Sequence, residues 1–117
     1  MTAAPAIIIL GPSALPCARR IQALYPQADI HGLGSRVTDV ERTYEDFGDN
    51  LRALYRTGTP LIVLCAAGIV IRSLAAVLGE KDSEPPVLAV AEDGSAVVPL
   101  LGGLGGVNRM ARELAAH

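Results

Sequence analysis

Between residues 102 and 108 four glycines, Gly102, Gly103, Gly105 and Gly106, lead to Asn108. Backbone without Cβ atoms can approach an anion closely, and a helix that follows presents free N–H groups and a positive dipole end. The same stretch also reads as a tight strand-to-helix connection in which glycine serves only positive φ and close packing, because it lacks a full nucleotide fingerprint. Arg72 interrupts an apolar stretch that opens at Gly68, and a guanidinium in such a setting needs a carboxylate, supplied by the protein or by a substrate. Lys81, Asp82, Glu84 and Asp93 are acid–base candidates or, equally simply, solvated loop charges. His31 reads as a ligand or base, or as a partly exposed structural residue at a strand end. Cys17 and Cys65 form no CxxC or Cys/His pattern, so they read as small core residues in a reducing compartment and no metal site is expected. No catalytic residue is singled out by type and spacing alone.

The elements that must position these groups follow from the apolar pattern. Ala6–Leu10 reads as a buried strand ended by Gly11-Pro12, and Ser13 as the cap of a helix that carries Pro16 in its first turn and ends at Pro26. Residues 28–31 read as a second strand, which makes a β-α-β unit and calls for a parallel sheet. From Gly32 to Gly48 the pattern is that of a polar loop. Phe47, Leu51, Leu54 and Tyr55 mark an amphipathic helix ending near Gly58. Leu61–Ala67 is the expected central strand, and Ile69–Leu78 a helix apolar nearly all round and hence largely buried. Pro85-Pro86 leads into a strand at residues 87–91, Glu92-Asp93-Gly94-Ser95 signals a hairpin turn, and residues 96–98 return. Val107, Met110, Ala111 and Leu114 line one face of a closing helix, with Asn108 as its cap or as a donor to a carboxylate. The expectation is a three-layer α/β fold with a mostly parallel sheet, a C-terminal β-hairpin and flanking helices.

At 117 residues the chain reads as one domain. Three Tyr, one Phe and no Trp leave the core to Ala, Val, Leu and Ile, and argue against base stacking. Ten basic and 12 acidic residues spread along the chain suggest no nucleic-acid partner. The N-terminal residues lack a charged signal region and their apolar run is too short to span a bilayer, so a cytoplasmic protein without a membrane partner is expected. Gly11-Pro12-Ser13 lacks the glycine spacing of a mononucleotide site.

Four ordered motifs carry a resemblance: Cys65–Arg72, Lys81 with Glu84-Pro85-Pro86-Val87, Asp93-Gly94, and Leu101–Asn108. Together they are similar to the N-terminal domain of cobalt-precorrin-5A hydrolase, a cobalamin-biosynthesis family whose domain is also found fused to precorrin-3B C(17)-methyltransferase. The match is detailed from Pro60 to Ala115. Gly68, Arg72, Lys81, Pro85, Val87, Gly102, Gly105, Gly106 and Asn108 agree with the family pattern, whereas Glu84 replaces Asp and Gly103 stands where the family carries His. The resemblance implies a part in opening a δ-lactone on a cobalt-containing tetrapyrrole with release of acetaldehyde. It also implies a corrinoid precursor as partner, held by Gly68, Arg72, Lys81, Gly102, Gly103, Gly105, Gly106 and Asn108. Cobalt would arrive with the substrate, no cofactor would be held by this domain, and S-adenosylmethionine would belong only to a fused methyltransferase. The neighbouring domain of the same polypeptide or a pathway enzyme is the second implied partner. The alternative is a non-catalytic binding or scaffold domain attached to the methyltransferase.

Overall fold

Ala6–Ile9 (β1) is buried along its whole length. Its alternate residues serve opposite layers: Ile7 and Ile9 enter one core cluster, Ala6 and Ile8 the other. A continuous apolar run does this only when both faces of the sheet are covered. The computed structural model describes residues 4–78, 84–102 and 106–116 of the chain. After β1 come a 3-10 turn at Pro12–Ala14, α1 (Leu15–Leu24), β2 (Asp29–Leu33), β3 (Arg42–Tyr44) and α2 (Phe47–Arg56). They are followed by β4 (Leu61–Val63), α3 (Ala67–Leu74) with a 3-10 turn at Ala75–Val77, β5 (Val87–Val90), β6 (Val97–Leu101) and α4 (Val107–Ala116).

The strands form one sheet in the order β3-β2-β1-β4-β5-β6. Every neighbouring pair is parallel except β5 and β6, which form the antiparallel hairpin. Cys17, Ala18 and Ile21 of α1 and Val107, Met110 and Leu114 of α4 cover one face. Leu51 and Tyr55 of α2 and Val70 and Leu74 of α3 cover the other. The three-layer α/β architecture with its terminal hairpin is therefore as the sequence implies, and β1 and β4 lie at its centre. Cys17 is a core residue, 5% exposed.

Four local expectations are corrected. Ser13 caps nothing: its hydroxyl donates to Glu92 at 2.9 Å, 79 residues away, and α1 begins later, at Leu15, with no side-chain cap. The polar stretch after Gly32 contains an additional parallel edge strand, β3, pinned by the Tyr44 hydroxyl, which donates to the Ile9 carbonyl at 2.7 Å. His31 is mid-strand and buried rather than at a partly exposed strand end, because β2 continues to Leu33. α3 is not largely buried: Val70 and Leu74 face the sheet, while Ile69 and Ile71 are 37% and 36% exposed. A short helix laid on the outer part of a sheet has one partner layer, so apolar side chains on its other sides remain at the surface.

Pro99 falls within β6, the outermost strand, where a missing N–H donor can be tolerated. Among the described residues no helix is long and apolar enough to cross a membrane.

Candidate functional site

The chain moves outward from β1 to β2 and β3 on one side, then returns to β4 and moves outward to β5 and β6 on the other. The reversal lies between β1 and β4, and in open α/β sheets the crevice outside the carboxyl ends of the strands at such a reversal is the place where ligands bind. Here that crevice continues into a groove of about 380 Å³ lined mainly by apolar side chains, including Leu10 after β1, Cys65 and Ala66 after β4, Ile69 of α3 and Val98 of β6. Glu92 is its acid, and the Ser13 hydroxyl bond tethers that carboxylate across the mouth.

α3 starts at this groove. Ala66 occupies its N-cap position in an extended conformation and makes no side-chain cap; its carbonyl accepts the Ile69 N–H at 3.1 Å, which leaves the Ala67 and Gly68 N–H groups for an external acceptor. One turn along, Arg72 folds its side chain back toward that end: a Cβ placed on Gly68 would lie 3.7 Å from Arg72 Nη1 and near nothing else. The four-residue spacing puts both on one helical face, and Ile69, three before Arg72, borders it. Arg72 is exposed and has no hydrogen bond or ion pair among the described residues. The sequence posed a choice between an internal and an external carboxylate for this arginine; no internal partner is present among the described residues.

Cys65 is half-buried beside the same groove, and burial, reinforced by the Glu92 charge, pushes its thiol up to about 11. It is therefore protonated and a poor nucleophile at neutral pH. Asp93 is also spoken for. Its carboxylate accepts the Ser95 N–H at 2.9 Å, and hydrogen bonding from the Ser95 side chain, followed by that N–H, holds it below the usual carboxylate value. Gly94 completes this turn at φ +81°.

The other motif residues lie at the opposite, amino edge of β5. Gly102 pairs its position with the lead-in to that strand: at φ +84°, a Cβ there would stand 2.6 Å from the Pro85 carbonyl oxygen and 2.7 Å from Pro86 Cα. Gly106 has φ +92° and accepts the Met110 N–H at 3.1 Å, starting α4. Asn108 is exposed inside the first turn, two residues beyond Gly106, the capping position before Val107. Glu84, Leu100, Gly102 and Asn108 line a shallow depression there of about 290 Å³. The structure thus brings Gly68 and Arg72 together and, separately, Gly102, Gly106 and Asn108; Lys81, Gly103 and Gly105 lie outside the described residues.

Sequence reasoning missed Glu92 and the uncapped start of α3. The latter carried a signal, since Cys65-Ala66-Ala67 offers no Ser, Thr, Asp or Asn at the cap; the former depended on a contact distant in sequence. Among the described residues no group of three or more His, Cys, Asp or Glu side chains is arranged to hold a metal ion.

Residues 49–117 match the Cobalamin synthesis G N-terminal family. The chain is 32% identical over 111 residues to the cobalt-precorrin-5A hydrolase of Salmonella typhimurium, covering 94% of this chain and 32% of that protein. It is 25% identical over 118 residues to the Priestia megaterium enzyme of the same name, covering 95% and 32%. A cobalamin biosynthesis protein G homologue from Sulfolobus solfataricus shares the fold with a TM-score of 0.67 at 19% identity, over 95% of this chain and 33% of that one. The chain spans about a third of the length of these relatives. Because the family match extends over more than half of its residues, the chain belongs to the Cobalamin synthesis G N-terminal family and is a cobalt-precorrin-5A hydrolase-like domain of cobalamin biosynthesis.

Proposed function

We propose that this domain holds a corrinoid precursor in the cytoplasm for δ-lactone opening, with the precursor's peripheral carboxylates on Arg72 and on the uncapped start of α3. The observation that carries the reading is Arg72 itself: an exposed guanidinium, folded back over Gly68 beside an apolar groove, with no partner among the described residues. A macrocycle with an apolar body and an acidic rim would lay its body on the apolar groove and a rim carboxylate on Arg72 beside it. Gly106 and Asn108, with Lys81, Gly103 and Gly105, would meet a second part of the rim, on a turn whose path Gly102 sets by packing against Pro85-Pro86. The domain supplies no cofactor, and cobalt comes with the precursor. The neighbouring part of a longer hydrolase would supply the general base, because the titratable groups described at the groove are a protonated thiol and the tethered Glu92.

The test is a titration of the protein with a cobalt-corrinoid precursor followed by visible absorbance, with mass spectrometry for lactone opening. Arg72→Ala should fold normally and bind about tenfold more weakly, the value of one charge-assisted hydrogen bond. Unchanged affinity in the folded variant would refute the assignment of Arg72. Turnover by the isolated chain would show that it needs no neighbouring base.

A further inference from the structure

A second pocket, away from the groove, lies under α2 toward the amino edge of β1, β2 and β3. Its volume is about 460 Å³, and Asp29, His31, Arg42, Asn50 and Thr59 line it. That size is within the range of small-molecule sites. Arg42 is paired with Asp29 through a single contact, Nε to Oδ2 at 2.9 Å, so its two Nη groups have no partner among the described residues. Asn50 contacts His31, yet its amide Nδ2 is buried with no hydrogen-bond partner. A buried donor left unpaired is a site at which an acceptor is missing, and because Nδ2 is closed to solvent the Asn50 side chain must turn toward the pocket for a ligand to supply one. His31 is 7% exposed; burial and then the Arg42 charge push it below its ordinary value, so at neutral pH it offers one donor and one acceptor and no charge.

The lining decides the class of ligand. A simple anion would be drawn by Arg42 and the Asn50 amide but repelled by Asp29; a simple cation would meet the reverse. The lining side chains include no Phe, Tyr or Trp, and the His31 ring is only 7% exposed, so a flat base has little surface on which to stack. The complementary molecule is small, net neutral, and carries a carboxylate a few bonds from an ammonium, spaced as Arg42 and Asp29 are. We propose that this pocket binds a free α-amino acid, its carboxylate on Arg42 and the Asn50 amide and its ammonium on Asp29. Asp29 then has two roles, holding Arg42 through Nε and receiving the ammonium. This site is independent of the groove proposed for the corrinoid.

The experiment is a thermal-shift scan of the whole chain with each of the twenty proteinogenic L-amino acids at millimolar concentration, followed by calorimetric titration of those that stabilise it. At least one should raise the melting temperature. Its affinity should fall about tenfold or more in Arg42→Ala, a substitution at an exposed side chain that leaves folding intact, and in Asn50→Leu. Its N-acetyl derivative, which lacks the ammonium, should bind at least tenfold more weakly than the parent. If no amino acid shifts the melt, if the N-acetyl derivative binds as well, or if Arg42→Ala binds normally, the proposal is overturned. Should Asn50→Leu fail to fold, Arg42→Ala and the N-acetyl comparison decide.

Discussion

Gly102→Ala isolates what the glycine-rich turn does for the fold. Two costs follow from the geometry. Gly102 has φ +84°, in the left-handed region, which costs an L residue about 1–2 kcal/mol. The new Cβ would also stand 2.6 Å from the Pro85 carbonyl oxygen and 2.7 Å from both Pro85 C and Pro86 Cα. These are backbone atoms at the start of β5, so no side chain can swing away and the β5–β6 hairpin itself must move. Overpacking of this kind costs about 1–3 kcal/mol. Together the expected loss is about 2–5 kcal/mol, a large share of the roughly 5–15 kcal/mol that holds a domain folded. For a chain of this length that corresponds to a fall of about 8–20 °C in melting temperature. The assay is thermal unfolding by circular dichroism, checked by urea titration at constant m. Gly11→Ala is the control: a Cβ there meets nothing within 4 Å, and its φ of −150° suits any residue, so its stability should change by no more than about 0.5 kcal/mol. A Gly102→Ala melt within about 2 °C of the parent would refute the packing argument.

Gly68→Ala should behave in the opposite way. Its Cβ meets only Arg72 Nη1 at 3.7 Å, so helix propensity raises stability by up to about 1 kcal/mol while corrinoid affinity falls; a loss of stability in urea titration would contradict this. Two separate pH windows are expected. Glu41 accepts from the Arg19 guanidinium, the Ile30 N–H and the Gln22 amide, which hold its carboxyl down to about 2 against an ordinary 4.5. Its contribution is therefore full above pH 4.5 and disappears as pH falls toward 2, so Glu41→Gln should flatten the acid limb of a stability–pH curve. An unaltered limb would show that the Arg19 cluster is screened by solvent. His31 is lowered below 6.5 by burial and the Arg42 charge, with Asp29, Glu41 and the Asn50 contact opposing. The unfolded chain binds the proton first, so stability should decline as pH falls below 6.5, and a His31 titration midpoint at or above 6.5 by NMR would contradict the assignment.

The strands that carry long apolar runs were legible because burial on both faces leaves an unmistakable composition. β1, β4 and β5 are examples, and their order follows once the intervening helices are placed. β3 was not legible: Arg42-Thr43-Tyr44 is too short for an alternating pattern, and only Tyr44 is buried. What makes it a strand is tertiary, namely the Tyr44 hydroxyl on Ile9 and the Gly34 N–H on the Tyr44 carbonyl. The extension of β2 through Gly32 is of the same kind, since a Cβ there would stand 2.9 Å from Val37 Cβ, and the glycine admits that close approach. Ser13 looked like a cap on every local criterion and was diverted by Glu92, a partner no local rule contains. In the site, the Gly68–Arg72 pair could be read from i, i+4 spacing, whereas the exposure of Ile69 could not, because apolar residues all round a helix look alike whether a protein layer or a ligand covers them.

These contrasts sort the family motifs by physical role. Gly102 and the Pro85-Pro86 step fit against each other at van der Waals limits, and Gly94 turns the hairpin with its missing Cβ 3.3 Å from Cys17 Sγ on α1. Their backbone geometry is consumed inside the fold. Gly68 and Arg72 are different. A side chain could be accommodated at Gly68, and the guanidinium of Arg72 has no partner among the described residues, so neither residue type is required by the domain's own packing. A residue whose chemistry the described fold does not use has to be accounted for by something outside it. The groove beside α3, with Ile69 and Val98 exposed at its lip, is where the described part of the molecule leaves both apolar surface and positive charge unspent. The fold therefore separates the motif residues that build the β5–β6 hairpin from those that face a ligand, and it is the second, smaller set that binding experiments should perturb first.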